Sequence, residues 1–166
     1  EIKMADKAIS SSSASIFLDE IKSSIGGVLN YEPAVAIAAS AGEGWVFSDG
    51  TVNSTSSDLL TTSNTYQGGI SAVATGDKIM WISVKNISTT STDGICLSLD
   101  AGTAAYTLVD GIFIGAGEMV SFKSPYCTVA DLHAASVTMD GTYGYPSAAH
   151  TGAVACHVAA ILKNVG

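Results

Sequence analysis

Between Lys78 and Lys123 the chain is a succession of short apolar segments separated by glycine and aspartate turns. The segments KIMWISVKN and ICLSLD alternate side chains with a period of two, and AAYTLV, IFI and MVSFK repeat the scheme. Because no insert of helix length separates these segments, successive strands are expected to pair antiparallel. The sequence therefore predicts an all-β fold, namely an antiparallel β-sandwich of the jelly-roll type.

Two segments carry the core prediction. In KIMWISVKN, strict alternation places Met80, Ile82 and Val84 on one face and Ile79, Trp81 and Ser83 on the other, as in a central strand. Residues 153–162 alternate more cleanly and predict a long core strand. Its buried face comprises Val154, Cys156, Val158, Ala160 and Leu162. Further strands are expected at 28–30, 34–39, 45–47 and 70–74, whereas the polar stretches 51–69 and 139–152 are interpreted as surface loops.

The N-terminal segment differs in kind from the rest of the chain. After a serine run, four apolar residues share one helical stripe at spacings of three, four and seven, and a glycine pair follows. These residues are Phe17, Leu18, Ile21 and Ile25. We expect a short helix or arm over residues 1–27, followed by a β-sandwich domain over 28–166. The helix either closes one end of the core or packs on a neighbouring subunit, and the serine spacer favours a role in assembly.

Charge and composition exclude some classes of partner. All seven basic residues are lysine, arginine is absent, and the formal net charge is −8. Since arginine forks and positive charge drive phosphate recognition, we expect no nucleic-acid partner. No apolar run approaches the roughly 18 to 20 residues of a membrane-spanning helix, so no membrane partner is expected either.

No motif predicts catalysis or a cofactor. There is no G-x-S-x-G elbow and no D-x-D-x-D-G loop, so we expect no enzyme, no cofactor and no metal centre. Calcium is the metal hardest to dismiss, because the aspartates between Asp49 and Asp58 offer oxygen ligands. His157 follows Cys156 directly, and adjacent strand residues point to opposite faces, which argues against a shared zinc.

The remaining cysteines and histidines have structural interpretations. Cys96, Cys127 and Cys156 form no C-x-x-C pair and are expected to be reduced, although a bridge between the first two stays open. His133 is expected to be a half-buried strand residue, and His150 an exposed residue of the loop that also holds Tyr143 and Tyr145. Tyrosines on a glycine-rich loop are typical of a contact surface, although this composition more often belongs to an ordinary solvent loop.

The stretches ISVKNISTTSTDGICLSLDAG, FIGAGEMVSFKSP and TVADLHAASV resemble the β-sandwich virion proteins of tailed phages. That group includes capsid decoration proteins and small tail or fibre modules. The resemblance covers roughly residues 78–137, and it implies an inward-facing strand with Val120 and Phe122 after the glycine turn. It implies no catalytic residues.

These observations lead to one expectation and two alternatives. The expectation is a structural virion protein, most specifically a capsid decoration or cement subunit. It would be a homo-oligomer, for which a trimer is one candidate. It would bind to a capsid lattice and would be assembled in the host cytoplasm. The alternatives are an extracellular fibre or pilus-like subunit and a carbohydrate-binding module that uses Trp45 or the tyrosine loop. The expected interface residues are Phe17, Leu18, Ile21, Ile25, Tyr143 and Tyr145.

Overall fold

The structure is a computed structural model of the chain. It describes residues 8–17, 22–31, 42–54, 57–69, 71–99, 111–140, 146–149 and 152–165. Eleven strands run through these segments. They are β1 (Ala8–Phe17), β2 (Lys22–Tyr31), β3 (Gly42–Val52), β4 (Ser57–Asp58), β5 (Lys78–Asn86), β6 (Asp93–Ser98), β7 (Ile112–Ile114), β8 (Met119–Thr128), β9 (His133–Met139), β10 (Pro146–Ala149) and β11 (Val154–Asn164). A 3₁₀ turn, Val129–Asp131, joins β8 to β9.

The chain forms a jelly roll. One sheet has the order β3-β11-β5-β8, and the other has the order β10-β9-β6-β7, with β4 also paired to β9. All pairings are antiparallel. Apart from the added β10, the eight strands β3 to β9 and β11 pass between two four-stranded sheets so that the first strand lies beside the last. This arrangement is the double Greek key of jelly rolls, so the predicted fold class is confirmed.

The two sheets enclose the core between their inner faces. On β11 the alternating residues from Val154 to Leu162 are buried in this core, as the sequence predicts. Ile95 and Leu97 of β6 face them from the other sheet. Val120 and Phe122 of β8 are partly buried against the same cluster. The main apolar pattern of the sequence is therefore the inter-sheet interface.

A bulge in β5 changes one predicted face. Trp81 pairs with Ile161 and Ile79 with Leu162, so that Met80 is an extra residue in the ladder. Ile79 consequently lies in the inter-sheet core with Ile82, whereas Met80 and Trp81 pack on the outer side. Strict alternation therefore assigned Ile79 and Met80 to the wrong faces, because a bulge shifts the period-two pattern by one residue.

The predicted surface loop over 51–69 is in part core. It begins with the end of β3 and includes β4, and the side chains of Leu59, Leu60 and Tyr66 are buried. The predicted strand over 70–74 is reduced to a single bridge between Thr65 and Ala72. The predicted strand at 34–39 and the segment AAYTLV lie outside the described residues. Short apolar pieces in polar sequence are hard to recognise because they lack a repeating period.

The predicted N-terminal helix is wrong. Residues Ala8–Phe17 and Lys22–Tyr31 form an antiparallel hairpin in continuous register, from the pair Ala8 with Tyr31 to the pair Phe17 with Lys22. Serine is a poor residue for a helix interior because its hydroxyl competes for backbone hydrogen bonds, and cross-strand pairing outweighs the four-residue stripe. The division of the chain at residue 27 stays a prediction, although β2 runs across that point.

Candidate interaction surface

The outer face of the sheet β3-β11-β5-β8 is divided into a covered half and an open half. The hairpin of β1 and β2, a two-stranded sheet of its own, packs on one half with its base. The other half is exposed to solvent. Both halves consist of the residues that alternate with the core positions along the same strands, because those residues must point outward.

The covered half is built around two tryptophans. The ring centroids of Trp45 and Trp81 lie 5.8 Å apart at an interplanar angle of 73°, an edge-to-face contact. Ile161 is the cross-strand neighbour of both and is fully buried. Ala8 and Leu29 of the hairpin join this cluster. The base of the hairpin is thus fixed by apolar packing on the sheet.

Tyr31 adds a polar anchor at the same place. Its hydroxyl donates to Oε2 of Glu43 at 2.7 Å, and Nζ of Lys123 lies 5.5 Å from the centroid of its ring. Burial raises the pKa of Tyr31 above its ordinary value, and the hydrogen bond to the Glu43 carboxylate raises it further. Tyr31 therefore stays protonated and keeps donating to Glu43 throughout the neutral range.

The hairpin presents its second face to solvent. Ala8 is buried while Ile9 is 60% exposed, and Leu29 is half-buried while Val28 is 66% exposed. Ile9 pairs with Asn30, two residues from Val28 along β2, so both apolar side chains lie on one face. An isolated two-stranded hairpin is at best marginally stable in water, and this hairpin exposes Ile9 and Val28 on the face opposite Ala8 and Leu29.

The open half of the outer face combines apolar, small and charged side chains. We call it the open face: Phe47 and Asp49 of β3, His157 of β11, Ser83 and Lys85 of β5, and Met119 and Ser121 of β8. Phe47 is 58% exposed and Met119 is 56% exposed. Phe47 lies in one cross-strand row with Ser83 and Ser121, whose Oγ atoms lie 3.1 Å apart, and Met119 lies in the next row with Lys85 and His157. The result is a shallow surface with an apolar side chain on each side.

Each of the two described histidines lies beside an aspartate. Nε2 of His157 is 3.4 Å from Oδ1 of Asp49, and the His157 ring meets Phe47 edge-on at 6.0 Å between centroids. Nδ1 of His133 is 3.1 Å from Oδ1 of Asp58, and its side chain is largely buried. His157 belongs to the open face, whereas His133 belongs to the second sheet. The predicted separation of His157 from Cys156 holds, because Cys156 points into the core.

A small polar pocket lies next to the open face. It has a volume of about 240 Å³, and it is lined by Asn64 and by Asp49 and Asp58, the aspartates that made calcium the metal hardest to dismiss from the sequence. Among the described residues, no three histidine, cysteine, aspartate or glutamate side chains converge as metal ligands do. Asp49 and Asp58 therefore both border one pocket, and the described residues do not form a complete ligand set there.

None of the three cysteines forms a disulfide in the structure. Cys96 and Cys156 are buried, and burial raises the pKa of each thiol to about 11. The carboxylate of Asp49 contributes a smaller increase for Cys156. Thiols with such values are protonated and unreactive at neutral pH, which fits core packing rather than nucleophilic chemistry.

The predicted interface residues are described only in part. Phe17 ends β1 and Ile25 lies within β2, so both belong to the hairpin. Leu18, Ile21, Tyr143 and Tyr145 lie outside the described residues, as does His150. Sequence reasoning missed Phe47 and Met119, whose exposure depends on which strand face turns outward. Across the described part of the chain, no helix is long and apolar enough to cross a membrane.

Comparison of the chain with protein-family models, with curated proteins and with solved structures finds no match.

Proposed function

We propose that the chain is a structural subunit of a virus particle, most specifically a capsid decoration or cement subunit that acts as a homo-oligomer. The observation that carries the proposal is the N-terminal hairpin. Its base is anchored on a jelly roll, and its second face carries Ile9 and Val28 into solvent. A jelly roll alone supports the role only by analogy of fold, since viral capsid and lectin domains share it.

The mechanism is geometric. The jelly roll supplies a rigid body, and the hairpin supplies an arm whose exposed apolar face is buried against a neighbouring subunit or the capsid lattice. Each contact is small, but a closed oligomer places several of them on the lattice together, so their effects multiply through avidity. The role requires no catalytic residue and no cofactor.

The carbohydrate-binding alternative is weakened at one of its two sites. A sugar-binding tryptophan needs an open ring face, whereas Trp45 packs against Trp81 beneath the hairpin. The fibre alternative makes a different prediction, since it requires the purified chain to form open polymers rather than closed oligomers.

Two measurements test the proposal. Phage particles banded in a density gradient, from a culture that carries the gene, should contain the chain as a constituent when their proteins are identified by mass spectrometry. Ile9→Ser with Val28→Ser should reduce the particle-bound fraction by about tenfold with an unchanged Tm, because both side chains are exposed.

The matched control is Val165→Ser, an exposed valine outside the hairpin that should leave the bound fraction unchanged. Recovery of the chain only in fractions without particles would contradict the proposed function.

A further inference from the structure

Strand β3 is an edge strand of its sheet, and part of its outer side has no backbone partner. The carbonyl oxygen of Trp45 accepts the backbone N–H of Gln67 at 2.7 Å, so the backbone groups of Trp45 point away from β11. Alternate residues of a strand direct these groups to the same side, so those of Phe47, Asp49 and Thr51 point outward as well. Among the described residues, no backbone group bonds to these three on that side. We call these three residues the open edge.

The open edge is accessible and borders the polar pocket. It ends at Asn53, whose carbonyl oxygen accepts the backbone N–H of Ser136 at 2.8 Å. Gly50, within the open edge, is exposed and lines the pocket together with Asp58 and Asn64. A Cβ atom placed on Gly50 would have no heavy atom within 4 Å. A glycine inside a strand often marks a place where another backbone approaches closely.

The other outer strands of the two sheets are short or irregular. β8 contains Lys123 and Pro125, and its register with β5 shifts twice. β7 has three residues, and β10 has four and begins with Pro146. Short strands, proline, lysine and irregular pairing are the devices with which proteins prevent the addition of a further strand. β3 contains neither lysine nor proline, and it pairs with β11 from Gly42 to Val52 without a shift.

The side chains around the open edge favour a strand that is basic on one side and apolar on the other. Residues 42–69 contain no lysine, arginine or histidine. Asp49 lies in the open edge, and Asp58 lines the pocket beside it. The two histidines next to these aspartates belong to β11 and β9. On the outer face, Phe47 is 58% exposed and offers an apolar contact.

The seven residues before β1, EIKMADK, have this pattern in their sequence. In an extended backbone, Ile2 and Met4 share one side and Lys3 lies on the other. Seven extended residues span about 23 Å, whereas the open edge spans about 13 Å. A strand added there would direct Lys3 toward the pocket with Asp58, and Ile2 and Met4 toward Phe47.

We propose that residues 1–7 of a second copy of this chain add to the open edge as a further strand. The open edge is exposed in the single chain, so the occupant comes from another molecule. The same edge of a second copy is a poorer occupant, because antiparallel pairing about its centre sets Asp49 opposite its own counterpart. The contact is heterologous, so its repetition closes into a ring or continues as a filament. The inference deepens the proposed homo-oligomer by naming its subunit contact, and it rests on that proposal.

Two proline variants of the full-length chain test the two halves of the contact. Thr51→Pro removes an N–H that points away from β11, so it breaks no bond of the ladder but blocks the added strand. Lys3→Pro with Met4→Pro removes two adjacent N–H groups, one of which faces β3 in either register. Each variant should be monomeric in sedimentation velocity at concentrations where the wild type is an oligomer. Thr51→Val keeps the N–H and should associate like the wild type.

Mixing the two proline variants gives the sharpest result. Each keeps the half of the contact that the other lacks, so equal amounts should form a dimer of twice the chain mass and no larger species. The inference would be overturned by a wild type that is monomeric under all conditions, by variants that associate like the wild type, or by a mixture without dimers.

Hydrogen exchange of the wild type decides the question if a proline variant has a lowered Tm. The backbone amides of Phe47, Asp49 and Thr51 should exchange at least about tenfold more slowly in concentrated, associated protein than in dilute monomer. Unchanged exchange in associated protein would overturn the inference.

A charge reversal tests the contact of the lysine with the pocket. Lys3→Glu should raise the dissociation constant at least about tenfold, because it places a like charge beside Asp58. Lys163→Glu makes the same two-unit change at an exposed position near the far end of β11, and it should associate like the wild type. Equal effects of these two variants would overturn the inference.

The fate of phage particles separates the inference from the proposed function. Oligomers that need both halves of the contact but never bind particles would uphold the inference and contradict the function. Particle-bound chains whose oligomers persist in both proline variants would do the reverse.

Discussion

The hydroxyl of Tyr66 donates to Oδ2 of Asp77 at 2.8 Å, and both residues are buried. The same carboxylate accepts the backbone N–H groups of Ala74 and Val165. Asp77 thereby joins the segment after β4 to the end of β11. Burial raises the pKa of Tyr66 far above its ordinary value, and the hydrogen bond to Asp77 adds to the rise.

Tyr66→Phe should lower the free energy of unfolding by about 1 to 3 kcal/mol, because it removes one hydrogen bond from a buried carboxylate. Urea denaturation measures the change. Tyr126→Phe is the matched control, since Tyr126 is 93% exposed, and it should have no effect. Equal free energies of unfolding for Tyr66→Phe and the wild type would show that the hydrogen bond from Tyr66 to Asp77 does not stabilise the fold.

Leu162→Ala should destabilise the protein by about 2 to 5 kcal/mol by leaving a cavity between the sheets. Leu162 is fully buried on β11, the strand that lies between β3 and β5. The neighbouring exposed residue gives a control, Lys163→Ala, which should change stability little. A loss below about 0.5 kcal/mol for Leu162→Ala would contradict the assignment of this face to the core.

The buried thiols should make the protein less stable at alkaline pH. The pKa values of Cys96 and Cys156 are raised from 9.0 to about 11, so the unfolded chain loses these protons before the folded chain does. The stabilising contribution is complete below pH 9 and is lost as the pH rises toward 11. Thermal melts between pH 8 and 11 measure it. Cys96→Ala with Cys156→Ala should show a shallower decline, and an identical decline would contradict the role of the thiols.

Tm should not change after treatment with EDTA, because the pocket that holds Asp49 and Asp58 lacks a complete set of ligands among the described residues. Differential scanning calorimetry with and without added calcium measures this. A fall of several degrees that calcium restores would place a metal between these two aspartates, and Asp58→Asn should then abolish the restoration.

Much of the fold was predictable because its strands have a regular period. The alternation from Val154 to Leu162 correctly predicts β11 and its buried face. The bulge at Met80 was not predictable, since the sequence alone does not reveal an extra residue in a ladder. The burial of Tyr66 was also missed, because an isolated aromatic residue in a polar segment has no period to mark it.

The candidate surface was less predictable than the fold. In the sequence, the apolar stripe that includes Ile25 fits a helix. The hairpin can be recognised only once the cross-strand pairing of β1 with β2 is known. The positions of Phe47 and Lys85 on one outer face depend on which strands lie beside β11, a property of the connectivity. A surface of this kind is formed by strands that are distant in the sequence, so no local motif predicts it.

The molar mass of the purified chain in solution tests the central claim, that this protein is an assembling structural subunit, most directly. Multi-angle light scattering of the full-length chain should give a closed oligomer, a small whole multiple of 16.8 kDa. A chain without residues 1–25 should remain folded, because the jelly roll begins at Gly42. Its molar mass should correspond to fewer subunits than that of the full-length chain. A full-length chain that stays monomeric at every concentration, and a truncated chain that fails to fold, would contradict the account.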